Sequence, residues 1–277
     1  MGPPRLVLRT GHYTEGVVVA PDGTIYFSET SQGTIGSMQP GSPDSAIWAH
    51  VPAANGHAID VDGTHVVMSS AGSIVRLDAS GRAIDVVASK VGARWLTYPN
   101  DVTLDARRGG YYITDSGYKA MPPAAPPDAQ GRVYRIDADA TVREVAGGLA
   151  YANGIALSTD AARLFIGESI GGRIWVYPVA GDGSLGARTL FAQTPQTPGA
   201  VTVPDGFVIG PGERLFVAHY GARELLVYDP DGALVERLPA GNKATSHAAF
   251  SPDGRTLYVS GGIEDESGPG AIFAVAL

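Results

Sequence analysis

The sequence predicts an all-β fold, a six-bladed β-propeller with four-stranded blades. Three observations predict it. First, a polar residue opens a short apolar run at six places (Glu15, Asn55, Asn100, Asn153, Asp205 and Ser246), roughly 40 to 53 residues apart, a repeat length that marks propeller blades. Second, each run leads through a tight turn into another apolar run, such as Ile25-Tyr26-Phe27 after Asp22-Gly23 or Leu215-Phe216-Val217 after Pro211-Gly212. Third, a further run follows in every repeat, and most repeats add a fourth; four strands per repeat is the anatomy of a blade.

The elements follow in order. Blade one takes 15–19, 25–27 and 34–36; blade two takes 55–59, 66–68, 73–77 and 83–87. Blade three takes 100–104, 111–113 and 132–136, and blade four takes 153–157, 164–166 and 173–177. Blade five takes 205–209, 215–217 and 225–228. Blade six has only 246–250, 257–259 and 271–275 before the last residue. The run Arg5-Leu6-Val7-Leu8-Arg9 has no partner of its own, so it is expected as the outer strand of blade six, closing the ring and covering an exposed edge. The whole span 1–277 then reads as a single propeller domain. One segment breaks the pattern: 117–128 holds four prolines between the second and third strands of blade three. Proline cannot serve a central ladder, and a loop of this length is expected as a lid over the channel that shapes substrate choice.

Composition narrows the function. The chain has 277 residues, 44% of them hydrophobic, and a net charge of −8. That balance argues against nucleic acid or an anionic membrane as partner. There is no cysteine, so no disulfide, thiol nucleophile or cysteinyl metal site exists. No long apolar stretch or basic start is present, and a cytoplasmic location is expected. The expected partner is a small-molecule substrate; the oligomeric state stays open.

A propeller brings the six strand-opening residues to one axis. Among them Glu15, Asn153 and Asp205 are hard oxygen donors, two carboxylates and an amide. That set suits one divalent cation, Ca²⁺ first, with Mg²⁺, Mn²⁺ or Zn²⁺ as alternatives. Three protein ligands leave coordination positions free for water and substrate. The alternative is that Asn153-Gly154 and Asp205-Gly206 merely start strands as turn signals. Asn55 and Ser246 are expected to line the channel as hydrogen-bonding residues.

Five stretches carry a resemblance: Glu15-Gly16, Tyr98-Pro99-Asn100-Asp101, Asn153-Gly154-Ile155-Ala156-Leu157-Ser158-Thr159-Asp160, Pro204-Asp205-Gly206 and Ala249-Phe250. In this order the chain resembles the regucalcin, gluconolactonase and luciferin-regenerating-enzyme family of six-bladed propellers. The resemblance implies that Glu15, Asn153 and Asp205 bind the metal and that Asn100 contacts substrate, or metal through water. It also implies that Asp205 acts as general base in a metal-dependent hydrolase of cyclic esters. The chain departs from the family in one place. Members acting on sugar lactones tend to carry Arg two residues before the Asn of the third-blade motif, where this chain has Tyr98. With Trp95 and Tyr118 expected nearby, the pocket reads as aromatic and gluconolactone as a poor substrate. A non-hydrolytic enzyme on the same metal site (isomerase, cyclase or condensing enzyme) and a non-enzymatic ligand-binding propeller are the competing readings.

The histidines carry less. His57, His219 and His247 lie near the channel in sequence register and read first as structural, with proton transfer as the alternative. His12 is expected beside the metal site, and His50 and His65 on the surface. Ser116 and Ser169 show no nucleophile-elbow context.

Overall fold

In the computed structural model, which describes every residue except Met1, Pro123, Ala125 and Pro127, six four-stranded antiparallel sheets form a ring. The lid expected over 117–128 therefore lies partly outside the described residues. The innermost strands are Glu15–Val19, Ala54–Ile59, Pro99–Leu104, Ala152–Leu157, Val203–Gly210 and Ala244–Phe250. The first five blades run outward in chain order from the inner strand, as in the first: Glu15–Val19, Ile25–Glu29, Thr34–Met38 and Ala46–His50.

The ring closes as the sequence predicts. Arg5–Arg9 pairs antiparallel with Ala271–Ala276 and is the outer strand of the last blade. A second closure lies at the axis. Thr14 accepts at its carbonyl from Ser246 Oγ (2.8 Å), while Thr14 Oγ1 accepts from Gly261 N (2.9 Å). The first and last blades are thus joined at both their inner and outer ends.

The core is divided among the blade interfaces. Six buried clusters occur, each at a seam between neighbouring sheets: Met68 and Ile74 of blade two pack with Ile113 and Tyr134 of blade three, and Leu8 and Ile272 of blade six pack with Val17 and Phe27 of blade one. Each buried side chain of this size contributes on the order of 1.5–3 kcal/mol, so the ring is held by all six seams together.

Two features depart from the sequence reading. His65, expected on the surface, is buried between the first two blades, 4.4 Å from the Trp48 ring and 4.8 Å from Tyr26 by centroid. A small hairpin of Lys90–Val91 and Arg94–Trp95 precedes the third blade, with Lys90 Nζ 3.8 Å above the Trp95 ring.

A chain shortened to begin at Thr10 loses the strand that covers Ala271–Ala276 and exposes that edge. We expect its melting temperature to fall steeply and its elution in size-exclusion chromatography to shift toward oligomers. A shortened chain that melts and elutes like the full-length protein would contradict closure by this strand.

Candidate active site

Every inner strand carries a β-bulge at or beside its opening polar residue. Two residues face one on the second strand: Gly16-Val17 against Phe27, Asn55-Gly56 against Met68, Asn100-Asp101 against Thr114, Asn153-Gly154 against Gly167 and Asp205-Gly206 against Ala218; in the last blade Ser246 is the extra residue. A bulge bends the strand and re-aims its side chains. Six repeated bulges turn the polar residues toward one end of the channel.

Three rings follow along the axis. The outermost lies two residues before each opening position and reads Tyr13, Ala53, Tyr98, Tyr151, Val203 and Ala244. The middle ring is Glu15, Asn55, Asn100, Asn153, Asp205 and Ser246. The innermost ring, one residue on, is Gly16, Gly56, Asp101, Gly154, Gly206 and His247.

Residues of the first two rings line a cavity of about 210 Å³: Glu15, Asn55, Asn100, Asn153 and Asp205, with Tyr13, Tyr98, Tyr151 and Val203 above them and Tyr220, Met121 and Glu266 also on its wall. Five of the seven residues singled out from sequence, Glu15, Tyr98, Asn100, Asn153 and Asp205, therefore share one wall. Ser246, expected to line the channel, is instead fully buried and donates to the Thr14 carbonyl. Trp95 and Tyr118 are not among the lining residues. Trp95 is exposed on the Lys90–Val91/Arg94–Trp95 hairpin, and the Tyr118 hydroxyl accepts from Gln130 N at 2.9 Å. Their aromatic character belongs to neighbouring surface, and Tyr13 and Tyr151 supply the rings inside. Among the described residues of the 117–128 segment, Met121 reaches the cavity.

The asparagines are fixed alike. Nδ2 of Asn55, Asn100 and Asn153 donates to Ser70, Ser116 and Ser169 Oγ at 2.9, 3.1 and 3.1 Å. Ser116 and Ser169 in turn donate to the Ala152 and Pro204 carbonyls of the next blade, at 2.8 and 2.9 Å. These serines orient amides and tie blades together. The outcome at Asn153 is specific: its Oδ1 is buried and has no hydrogen-bond partner. An orphaned acceptor of this kind costs about 1–3 kcal/mol unless something fills it.

Of the carboxylates, Asp205 is buried and Glu15 half-buried. Tyr13 Oη donates to Glu15 Oε1 at 2.7 Å, and Gly16 N donates to Oε2 at 3.2 Å. Burial raises the Glu15 carboxyl from 4.5 to about 7, against the pull of the Tyr13 hydrogen bond and the nearby His247. Burial and the facing Glu15 push Asp205 well above the ordinary carboxylate range, while the Asn153 amide works the other way. Two carboxylates that resist ionising, with an amide oxygen lacking a donor, suit a hard divalent cation in chemistry. Among the described residues no group of three His, Cys, Asp or Glu side chains forms a metal cluster, so the amide oxygen is required to complete a donor set.

The innermost ring is glycine wherever neighbouring strands press closest. A Cβ on Gly154 would lie 2.0 Å from the Asp205 carbonyl oxygen, and one on Gly16, whose φ is +46°, 2.1 Å from that of Asn55. The two exceptions, Asp101 and His247, come from opposite blades and meet, with His247 Nε2 3.6 Å from Asp101 Oδ2. Asp101 also accepts from Val102 N (2.8 Å) and Ile155 N (3.2 Å). Burial depresses the His247 pKa, but Asp101 and Glu15 outweigh it and the imidazole lies above its ordinary value. Beyond this pair the channel opens at its other end into a cavity of about 490 Å³ with mostly apolar walls.

Of the remaining histidines, His57 lines the channel-end cavity with His247, away from the carboxylates. Burial holds His57 well below its ordinary pKa, and its Nε2 lies 2.8 Å from His65 Nδ1. His219 Nδ1 is 2.9 Å from Glu224 Oε1. His12, expected beside the metal site, is exposed and faces Gln32 at 3.4 Å; Tyr13, the next residue, is the one that touches Glu15.

Comparison with known proteins decides the family. Residues 13–262 match the model of the SMP-30/gluconolactonase/LRE-like region. The chain belongs to this family. Among curated relatives, a pentonolactonase of Haloferax volcanii is 28% identical over 89% of this chain and 80% of its own length. A gluconolactonase of Zymomonas mobilis is 28% identical over 76% of this chain and 61% of its own length. The lactonase drp35 of Staphylococcus saprophyticus is 26% identical over 95% and 82%. Of solved structures, a gluconolactonase of Xanthomonas campestris superposes with a TM-score of 0.83 at 23% identity, covering 100% of this chain and 95% of that one. A calcium-binding regucalcin of Agrobacterium tumefaciens superposes at 0.78 and 18%, covering 98% and 95%.

Replacing Asp101 by Ala strands His247 and two backbone N–H groups in the channel. Breaking a buried charge pair on one side costs about 3–5 kcal/mol, so the melting temperature should drop on the order of 10 °C. The Asp101→Ala/His247→Ala double variant should lose less than the sum of the two single losses. Strict additivity in thermal melts would show that the pair is not coupled.

Proposed function

We propose that the protein hydrolyses lactones in the axial cavity, with one divalent cation, Ca²⁺ first, held by Glu15, Asn153 and Asp205. The observation that carries the reading is the unpartnered Asn153 Oδ1, buried in the same cavity as two carboxylates. The names of the curated relatives, pentonolactonase, gluconolactonase and lactonase, support ring-opening hydrolysis. The calcium-binding structural neighbour supports the choice of ion.

When bound, the cation supplies Lewis-acid polarisation of the lactone carbonyl and offsets the two carboxylate charges. Asp205 is the base. Its carboxylate lies on the wall of the same cavity as Glu15 and Asn153, within reach of a water bound there. It takes a proton as water adds to the carbonyl carbon, and the proton is returned to the ring oxygen as the C–O bond breaks, giving the hydroxy acid. Asn100, held by Ser116, presents its amide to the substrate. Tyr13 keeps Glu15 in place, and the Tyr98 and Tyr151 rings, 6.4 Å apart by centroid, form an aromatic wall.

Asp205→Asn keeps shape and one oxygen donor but removes charge and base. Turnover of a γ- or δ-lactone at saturating Ca²⁺ should fall on the order of 10²–10⁴-fold, measured by pH-stat. Asn153→Asp, which keeps an oxygen donor and adds charge, should retain the ion. Wild-type turnover in Asp205→Asn would remove this residue as base.

Stability should show the cation as well. In chelator, the raised Glu15 pKa favours the folded chain below the ordinary carboxylate value, and this contribution is lost as pH rises from 4.5 through about 7. The melting temperature should therefore fall across that window in chelator and stay nearly flat in millimolar Ca²⁺. The stabilisation by Ca²⁺ grows with pH. Identical pH profiles with and without Ca²⁺ would count against the site.

A further inference from the structure

The cavity wall carries three carboxylates, Glu15, Asp205 and Glu266, and no Lys or Arg among its described lining residues. A divalent cation offsets the first two. Glu266 is left over. It stands in the loop between the strands Thr256–Gly262 and Ala271–Ala276, exposed at the cavity mouth, and makes no salt bridge among the described residues. Its neighbour Glu264 takes both nearby cations: Arg223 Nη2 contacts Oε1, and Lys243 Nζ lies 3.8 Å from Oε2. The cations of this surface are thus committed away from Glu266.

Four tyrosines, Tyr13, Tyr98, Tyr151 and Tyr220, line the same cavity. Burial, and for Tyr220 the Glu266 carboxylate next, pushes the Tyr151 and Tyr220 phenols above their ordinary value, so both stay neutral. Neutral aromatic faces beside an uncompensated carboxylate are the chemistry that receives an organic cation. The same carboxylate repels an anionic substituent.

We propose that Glu266 is a specificity-determining residue and that the site selects lactones whose ring substituent bears a protonated amine, against lactones bearing a carboxylate. The inference rests on the lactonase reading above and adds the substituent class to it. The ring ester lies toward Glu15, Asn153 and Asp205, and the ammonium lies toward Glu266 and Tyr220.

The test compares γ-lactones carrying an aminomethyl, a hydroxymethyl or a carboxylate group at the same ring carbon, on the Ca²⁺-loaded protein. In the wild type kcat/KM should fall in that order, with the amine favoured over the alcohol by roughly three- to fivefold, the scale of one solvent-screened charge contact. The preference should shrink as salt is added. In Glu266→Gln the amine-to-alcohol ratio should fall toward one and the carboxylate should gain relative to the alcohol. Asp265→Asn removes one charge from the same loop, at a residue satisfied by Ser267 (2.8 Å), and should keep the wild-type ratio. Equal rates for amine and alcohol in the wild type, or an unchanged ratio in Glu266→Gln, would overturn the proposal. If none of the three lactones is hydrolysed, the lactonase reading fails instead. The charge inference is then read from calorimetric binding of benzylammonium against benzyl alcohol. Tighter benzylammonium binding that Glu266→Gln abolishes upholds it, and equal binding refutes it.

Discussion

Six strands cannot converge on one axis as closely as these do with side chains at every position. Where Gly154 meets the Asp205 carbonyl, an added Cβ would stand 2.0 Å away, well inside van der Waals contact. The innermost ring must therefore be glycine, or something that fills the axis itself. This close approach dictates the local geometry above it. In blades two to six the bulge that lets the strand bend past its neighbour includes the opening polar residue and leaves it out of the ladder, whereas in blade one Glu15 pairs with Ser28 and the bulge follows at Gly16-Val17. The packing demand that closes the ring thus also exposes Glu15, Asn153 and Asp205 to one another.

The two departures from glycine have their own logic. Asp101 and His247 come from opposite blades, so the ring tolerates both because they share the same small space at the axis. Asp101 satisfies backbone donors of its own strand and of the adjacent blade, at Val102 and Ile155. His247, held above its ordinary value by Asp101 and Glu15 against the effect of burial, is one of the influences that lower Glu15. The pair meets across the axis, and His247 also lines the cavity at the other end of the channel.

Much of this was legible in the sequence because its signals are local. The strand–turn rhythm, the unpartnered strand Arg5–Arg9 and the polar residue opening each repeat depend on turn chemistry and alternation, and they gave the ring, its closure and five residues of the cavity wall. What escaped was positional. Tyr13 and Tyr151 stand at the same offset as Tyr98, two residues before an opening residue, and only alignment of the six repeats against one another makes that ring visible. Asp101 was quoted as part of a motif, yet its partner lies half a ring away. Ser116 and Ser169 were weighed as nucleophiles and dismissed; their work, orienting the Asn100 and Asn153 amides, is a contact between the first and second strands of a blade. His65 follows a turn and looks solvent-facing, but blade one brings Trp48 and Tyr26 over it. Trp95 was placed in the pocket by proximity in sequence, and a hairpin carries it outward. Each of these depends on tertiary contacts, which strand periodicity does not encode.

Six equivalent blades make a symmetric frame, and a catalytic site is asymmetric. The chain resolves this by varying three rings of residues while keeping the backbone repeat. In the middle ring, blades one and five carry carboxylates and blades two, three and four carry asparagines pinned alike by Ser70, Ser116 and Ser169, of which Asn153 is the one with a buried, unpartnered Oδ1. In the outer ring, aromatic residues stand on blades one, three and four, and small or branched residues on the others. That places a tyrosine two residues before Glu15 and another before Asn153, but Val203 before Asp205, so the ring is aromatic beside two of these residues and aliphatic beside the third. The loop bearing Glu266 and the end of the strand Arg214–Tyr220 reach the wall from outside the three rings. Charge at the mouth is therefore set by segments that the propeller frame does not constrain, and it can change without disturbing the donors at the axis.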